Sequence, residues 1–282
     1  MIEIENLTFS YGKEPLFKEL NLNLEKGKIY GLLGLNGAGK TTLLNLIMSA
    51  LFPQRGSVKI DGIDSRKRAV EYLRNLFIVP EQFYFSAISS KAFLMANIPL
   101  YPYFNKRLFE SFVQEFNLDL KKKLNKLSGG QGKRFLLSFA LAVQSPILLL
   151  DEPTNALDIP AKRIFKKLFL SSISDNSLTI ISTHQVADIE GIIDQIIILH
   201  KGKIVFNQPI EKINEKLSER EIPTNQFQEY KERILYQVKE FGGYRVILKR
   251  ISSDEPAVNI ETLFNAIIEN SEVINTYLTY NN

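Results

Sequence analysis

Gly34-Leu35-Asn36-Gly37-Ala38-Gly39-Lys40-Thr41 is the stretch on which the fold of this chain turns. It matches G-x-x-x-x-G-K-[ST], a pattern whose glycines let the backbone curl until successive N–H groups point inward at phosphate oxygens. The apolar run Ile29–Leu33 leads into it, and Thr41–Leu51 leaves it with helical spacing of apolar residues. A strand before the loop and a helix after it aim the helix's positive N-terminus at the same anion. Lys40 is then placed for the β- and γ-phosphates of a nucleotide, and the Thr41 hydroxyl for magnesium. The loop by itself leaves kinases, GTPases and ATPases open.

Outward from the loop, short apolar strands alternate with helical segments. Ile2–Phe9 reads as a strand broken by Gly12-Lys13-Glu14-Pro15, and Leu16–Leu24 as a second with its turn at Lys26-Gly27. Val58–Ile60 and Phe77–Val79 are short strands, Ile147–Leu150 is apolar enough to be buried on both faces, and Leu178–Ser182 is another apolar strand. Gln131–Val143, Ile159–Ser172 and Val186–Ile193 read as helices, and Gln195–Leu199 pairs with Lys203–Phe206 across Lys201-Gly202. Such alternation predicts an α/β fold with a mainly parallel sheet covered on both faces. Between Ser86 and Lys126 helical pattern dominates. Tyr101, Tyr103 and Phe104 cluster there around Pro99 and Pro102, and packing of a small helical subdomain is favoured over ligand stacking. Composition changes after Pro209. Glu211–Arg220 reads as a charged helix, Arg245–Ile251 as a strand and Ile260–Glu269 as a helix, together a small α+β appendage.

The 282 residues suffice for one large domain or a main domain with an appendage. Net charge is a mild +4, with basic and acidic residues interspersed, so nucleic acid is not an expected partner. The absence of cysteine excludes disulfides, thiolate catalysis and zinc-thiolate sites. Met1–Gly12 carries Glu3 and Glu5 and no apolar signal core, and no apolar stretch reaches the ~18 residues of a spanning helix. Any membrane part is therefore expected on other chains.

Ile147-Leu148-Leu149-Leu150-Asp151-Glu152 sets two carboxylates after a buried strand. The first suits magnesium, and the second can polarise a water for attack on a γ-phosphate. Acids often follow strands, but an acid pair downstream of a phosphate loop and followed by Pro153-Thr154 points to phosphoryl transfer.

Leu127-Ser128-Gly129-Gly130-Gln131 opens a helix, where Ser128 can cap and glycine N–H groups can bind an anion. With these motifs in this order, the chain resembles ATP-binding-cassette (ABC) nucleotide-binding domains from about Ile2 to Pro209. Tyr101-Pro102-Tyr103-Phe104, and Glu261-Thr262-Leu263-Phe264 in the tail, resemble segments of bacterial exporter-type ATPases. The resemblance implies a P-loop NTPase fold of the ABC ATPase type over residues 1–209. That fold has an N-terminal antiparallel β subdomain and a helical subdomain at about 86–127, with the appendage at 210–282.

ATP and Mg2+ are the implied ligands. Tyr11 would stack on adenine, and Gly34, Asn36, Gly37, Ala38, Gly39, Lys40, Thr41 and Thr42 would hold the phosphates. Gln82, in Val79-Pro80-Glu81-Gln82, matches the residue that touches magnesium and the attacking water. Asp151 matches the magnesium aspartate, Glu152 the general base, and His184 the histidine on the γ-phosphate. Ser128, Gly129, Gly130 and Gln131 would face the nucleotide of a second subunit. Asp158, in Asn155-Ala156-Leu157-Asp158, belongs to the loop that crosses to that subunit; Asn155 stands where the family more often has Ser. His200 reads as a surface residue.

The implied partners are a second nucleotide-binding subunit, expected as a homodimer, and integral membrane permease chains at the cytoplasmic face of the membrane. The alternative is a soluble family member of a non-transport system. One cassette per chain and no long coiled coil disfavour translation and DNA-repair types, and leave Fe–S assembly open.

Overall fold

The computed structural model describes residues 1–280. β1 (Ile2–Phe9) and β2 (Phe17–Leu24) pair antiparallel, and the alternation of Leu20, Leu22 and Leu24 turns one face inward. β3 (Lys28–Leu33) delivers the chain to the glycine-rich loop, and α1 (Lys40–Ile47) leaves it. β4 (Arg55–Ile60) returns to pair with β1, and the short β5 (Ile63–Asp64) completes a four-stranded antiparallel sheet. α2 (Val70–Arg74) leads to β6 (Leu76–Val79).

α3 (Ser90–Asn97) and α4 (Lys106–Glu115) follow, each capped by the side chain before it, Ser89 and Asn105. Their aromatics pack inward. Tyr101 and Phe104 meet Phe139, and Phe93 meets both Phe135 and Phe139, at ring separations of 5.1–6.1 Å. Tyr103 remains exposed.

α5 (Gly129–Val143), β7 (Ile147–Asp151), α6 (Ile159–Ser172), β8 (Leu178–Thr183), β9 (Gln195–His200) and β10 (Lys203–Pro209) complete a six-stranded sheet. Its order is β10-β9-β3-β8-β7-β6, parallel except for the hairpin strand β10. The two-residue period of these strands builds two cores. Leu148 and Leu150 face the cluster under α5 and α6, whereas Ile147 and Leu149 face the cluster shared with α1 and the antiparallel sheet. Full burial of each such side chain contributes about 1.5–3 kcal/mol.

Two expectations fail. Val186–Ile193 is not a helix; it holds one 3₁₀ turn, Val186–Asp188, and Gly191 at φ +79° breaks the chain path. Its isoleucines instead press on β3, where the end methyls of Ile193 and Ile189 lie 2.9 and 3.0 Å from the place a Cβ would take at Gly31. Glu211–Arg220 is not one helix either. α7 (Ile210–Lys216) stops at Lys216, and β11 (Leu217–Pro223) begins.

β11, β12 (Ile234–Glu240) and β13 (Gly243–Lys249) form an antiparallel sheet with β13 central; a single turn, α8 (Phe227–Tyr230), lies between β11 and β12. α9 (Ile260–Tyr280) is interrupted at Asn270, where the backbone is non-helical. Leu263, Ile267, Ile274 and Leu278 lie in the same apolar cluster as Ile198 and Phe206, and Asn275 Nδ2 donates to the Val205 carbonyl at 2.8 Å. Buried Glu255 accepts from Arg233 (2.5 Å), Ser218 (3.1 Å) and the Ile251 N–H (3.1 Å), tying β11, the residue before β12 and the 250s loop together.

Candidate functional site

The phosphate loop sits where β3 ends, at the C-terminal edge of the parallel strands. Gly39 caps α1 at φ +106°, and a Cβ there would lie 2.7 Å from the Phe17 ring, so glycine is required for both conformation and space. Lys40 is buried, and its ammonium donates to the carbonyls of Gly34 (2.8 Å) and Leu35 (3.4 Å). Burial holds its pKa below the usual lysine value, while Glu152, Asp151 and Glu81 pull it up. The cleft around the loop has a volume of about 500 Å³ and is lined by Tyr11, Leu16, residues 36–42, Glu81, Asp151, Glu152 and His184.

β7 and β8 run side by side with Asp151 opposite Ser182, and this register assembles the acids. Asp151, 1% exposed, accepts from Thr41 Oγ1 at 2.6 Å and from the Ser182 hydroxyl through its other oxygen. Glu152, 4% exposed, accepts from Thr183 Oγ1 (2.9 Å) and the His184 N–H (3.0 Å). His184 Nδ1 lies 2.7 Å from Glu152 Oε1; an ionised carboxylate only accepts, so that nitrogen carries the proton. Lys40 Nζ is 3.8 Å from the same oxygen. Glu152 adopts φ +45°, a left-handed conformation that costs a non-glycine residue about 1–3 kcal/mol, and its N–H bond to the Ser182 carbonyl (3.0 Å) holds it there.

Ser128 caps α5 and forms a reciprocal box with Gln131: Oγ accepts from the Gln131 N–H, and Gln131 Oε1 accepts from the Ser128 N–H. Gly130 packs on the next loop so closely that a Cβ would lie 2.9 Å from the Ala156 carbonyl oxygen. Ser128, Gly129, Asn155 and Ala156 line a second cleft beside the first, with Glu81 on the rim of both. Asp158 caps α6 and pairs with Arg134 at 2.9 Å, within its own chain. Tyr11 is 70% exposed, edge-on to Phe9, with its hydroxyl 3.2 Å from Thr42 Oγ1. His200 is half-buried at the end of β9 and lines neither cleft.

The fold thus brings Tyr11, the phosphate loop, Asp151, Glu152 and His184 into one cleft. Gln82 lines the second cleft instead, and its neighbour Glu81 reaches the first. Sequence reasoning missed Ser182 and Thr183, which hold the two carboxylates, because only the β7–β8 register sets Ser182 opposite Asp151 and so brings Thr183 within reach of Glu152. It also missed Lys133, buried in α5 with no carboxylate within ion-pair distance among the described residues. Nothing in the helical spacing of α5 separates that lysine from a solvated one.

A family model described as "ABC transporter" matches residues 17–155. The bacitracin transport ATP-binding protein BcrA of Bacillus licheniformis is 30% identical over 220 residues, which cover 77% of this chain and 72% of that protein. The methionine import ATP-binding protein MetN 3 of Oceanobacillus iheyensis is 33% identical over 289 residues, 93% of this chain and 83% of that protein. Among solved structures, an ATP-binding subunit of an ABC transporter aligns with a TM-score of 0.69 at 23% identity, over 76% of this chain and 92% of that one; at this identity it shows the fold alone. The dimeric structure of MJ0796, a bacterial ABC transporter cassette, aligns with a TM-score of 0.61 at 27% identity, over 74% of this chain and 98% of that one.

Proposed function

Because the chain belongs to the ABC transporter family of ATP-binding proteins, we propose that it hydrolyses ATP to drive a separate membrane permease. One observation carries this reading: Lys40, Thr41, Asp151, Glu152 and His184 converge on a single cleft at the ends of neighbouring parallel strands.

In this reading Lys40 exchanges its loop carbonyls for phosphate oxygens, and the curled backbone of residues 36–41 supplies further donors. Thr41 Oγ1 and Asp151 make an all-oxygen donor set that fits magnesium, and Ser182 orients the carboxylate for it. Magnesium bound there would neutralise phosphate charge. Glu152 accepts the proton of the attacking water while Thr183 and His184 fix its orientation. Tyr11, exposed at the cleft mouth, offers its ring face to adenine. Gln82 would join the reacting water through movement of the 80–85 loop.

The signature residues Ser128–Gln131 flank a cleft of their own, so one chain carries two half-sites. We assign the partner half to a second copy packed head to tail, each signature loop completing the other's phosphate site. ATP would close the pair and hydrolysis would open it. Among the described residues no helix is long and apolar enough to cross a membrane, so a permease docked on the 86–127 segment at the cytoplasmic face would receive the motion. The cassette would comprise residues 1–209 and the appendage 210–282. The transport named for BcrA and MetN 3 favours this reading over Fe–S assembly.

The test is complementation. Lys40→Ala and Ser128→Arg chains should each be inactive alone. Mixed, they leave one site with both halves intact and should recover ATP hydrolysis. No recovery from two folded, dimerising variants would contradict the shared site.

A further inference from the structure

We propose that Lys133 is a positioning residue that clamps the Pro80–Phe83 loop onto the signature helix and thereby sets where Gln82 stands. This rests on the ATP-hydrolysing reading above. Lys133 is 1% exposed, yet no carboxylate neutralises it at ion-pair distance among the described residues. Its ammonium donates to the carbonyls of Pro80 (3.0 Å) and Glu81 (3.3 Å) and lies 5.5 Å from the centroid of the Phe83 ring. A cation over a ring face and against two carbonyl dipoles is held by partial charges alone. Burial pushes its pKa down to about 8, against the pull of Asp151, Glu81 and Glu152.

An apolar side chain would fill that space without the desolvation cost, so packing gives no reason for a lysine. The loop gives one. Residues 80–88 form no helix or strand, and the Pro80 and Glu81 carbonyls have no sheet partner. Lys133 is their donor. On the other side of Gln82, Phe83 packs on Gly132, where a Cβ would lie 3.1 Å from its ring, and meets Phe85 at 5.3 Å; Phe85 in turn meets Phe135. Gln82 is therefore bracketed by two attachments, and both end on the first turns of α5. The residue that must meet the reacting water moves with the helix that carries the signature loop. A displacement on the order of 1 Å at a reacting centre costs about 100-fold in rate.

Lys133→Met keeps the apolar stem and removes the donor; Lys133→Gln restores an N–H donor without the charge. We expect Lys133→Met to hold or raise the melting temperature near neutral pH and to keep its ATP affinity, while kcat falls about tenfold or more. Amide exchange over residues 81–85 should accelerate, and Lys133→Gln should recover part of both. Turnover at the wild-type rate in Lys133→Met would overturn the proposal, as would unchanged exchange. Parallel loss of stability, affinity and turnover would reduce Lys133 to a structural tie and also overturn it. Absence of turnover in the wild-type chain, with the exchange contrast present, would overturn the hydrolysing reading alone and leave the clamp standing.

Discussion

Replacing Glu152 by glutamine isolates proton transfer from binding. The carboxylate accepts from the His184 N–H at 3.0 Å, faces His184 Nδ1 at 2.7 Å and accepts from Thr183 Oγ1 at 2.9 Å. A glutamine oxygen can take the place facing His184. Its amide then faces Thr183, whose hydroxyl already accepts from the Gln185 N–H and can turn to accept again. The structural cost is one re-paired hydrogen bond, about 0.5–1.5 kcal/mol. The lost negative charge, 3.8 Å from Lys40, removes a repulsion toward phosphate, so ATP affinity should hold or rise. The amide cannot take a proton near neutral pH, and loss of a general base lowers turnover by about 10²–10⁴-fold, or about 3–5 kcal/mol of barrier. Single-turnover phosphate release measures the step directly, and gel filtration with MgATP should show the uncleaved nucleotide holding two chains together. Wild-type release rates in Glu152→Gln would refute the assignment of the base.

Lys40→Ala should abolish or nearly abolish ATP binding in calorimetry, because among the described residues no other buried cation lines that cleft; equal affinity would contradict the loop's role. Gly39→Ala puts a methyl against the Phe17 ring at a backbone angle unfavourable for alanine; a drop in both melting temperature and ATP affinity is expected, with a stability loss of about 1–3 kcal/mol. Leu263→Ala should cost about 2–5 kcal/mol in denaturant unfolding. Because Leu263 shares the cassette's apolar cluster, the whole chain should unfold in one transition, and separate transitions would contradict a shared core. Lys133, with its pKa held near 8, destabilises the fold below that pH. Between pH 8 and the unfolded value near 10.5, the unfolded chain binds the extra proton, and this cost is relieved as pH rises. The melting-temperature difference between Lys133→Met and wild type should shift in wild type's favour over that window; a constant difference would contradict the buried charge.

The phosphate loop, the signature motif and the acid pair were legible because their chemistry is local: glycine angles, a cap and a buried strand end each have a signature within a few residues. The parallel sheet was legible for a similar reason, since Ile147–Leu150 is apolar on both faces and Leu178–Ser182 is mostly apolar. Long-range satisfaction was not legible. Glu219 and Arg220 read as the end of a charged helix, yet Glu219 accepts from the Asn259 N–H and the Thr262 hydroxyl at the start of α9, and Arg220 lies over Tyr230. β12 hid because its outer half, Gln237–Glu240, is exposed and, apart from Val238, polar. Val186–Ile193 carried helical spacing, but its isoleucines are buried by β3 rather than by a helix face. Gln82 was placed by its position in a motif, and only the fold shows its loop tied to α5.

Steady-state phosphate release from MgATP by the purified wild-type chain, run beside Lys40→Ala, tests the central claim most directly. Saturable, magnesium-dependent release that disappears in Lys40→Ala is the predicted result. A folded wild-type chain that releases no phosphate, or a Lys40→Ala chain that releases it as fast, would contradict it.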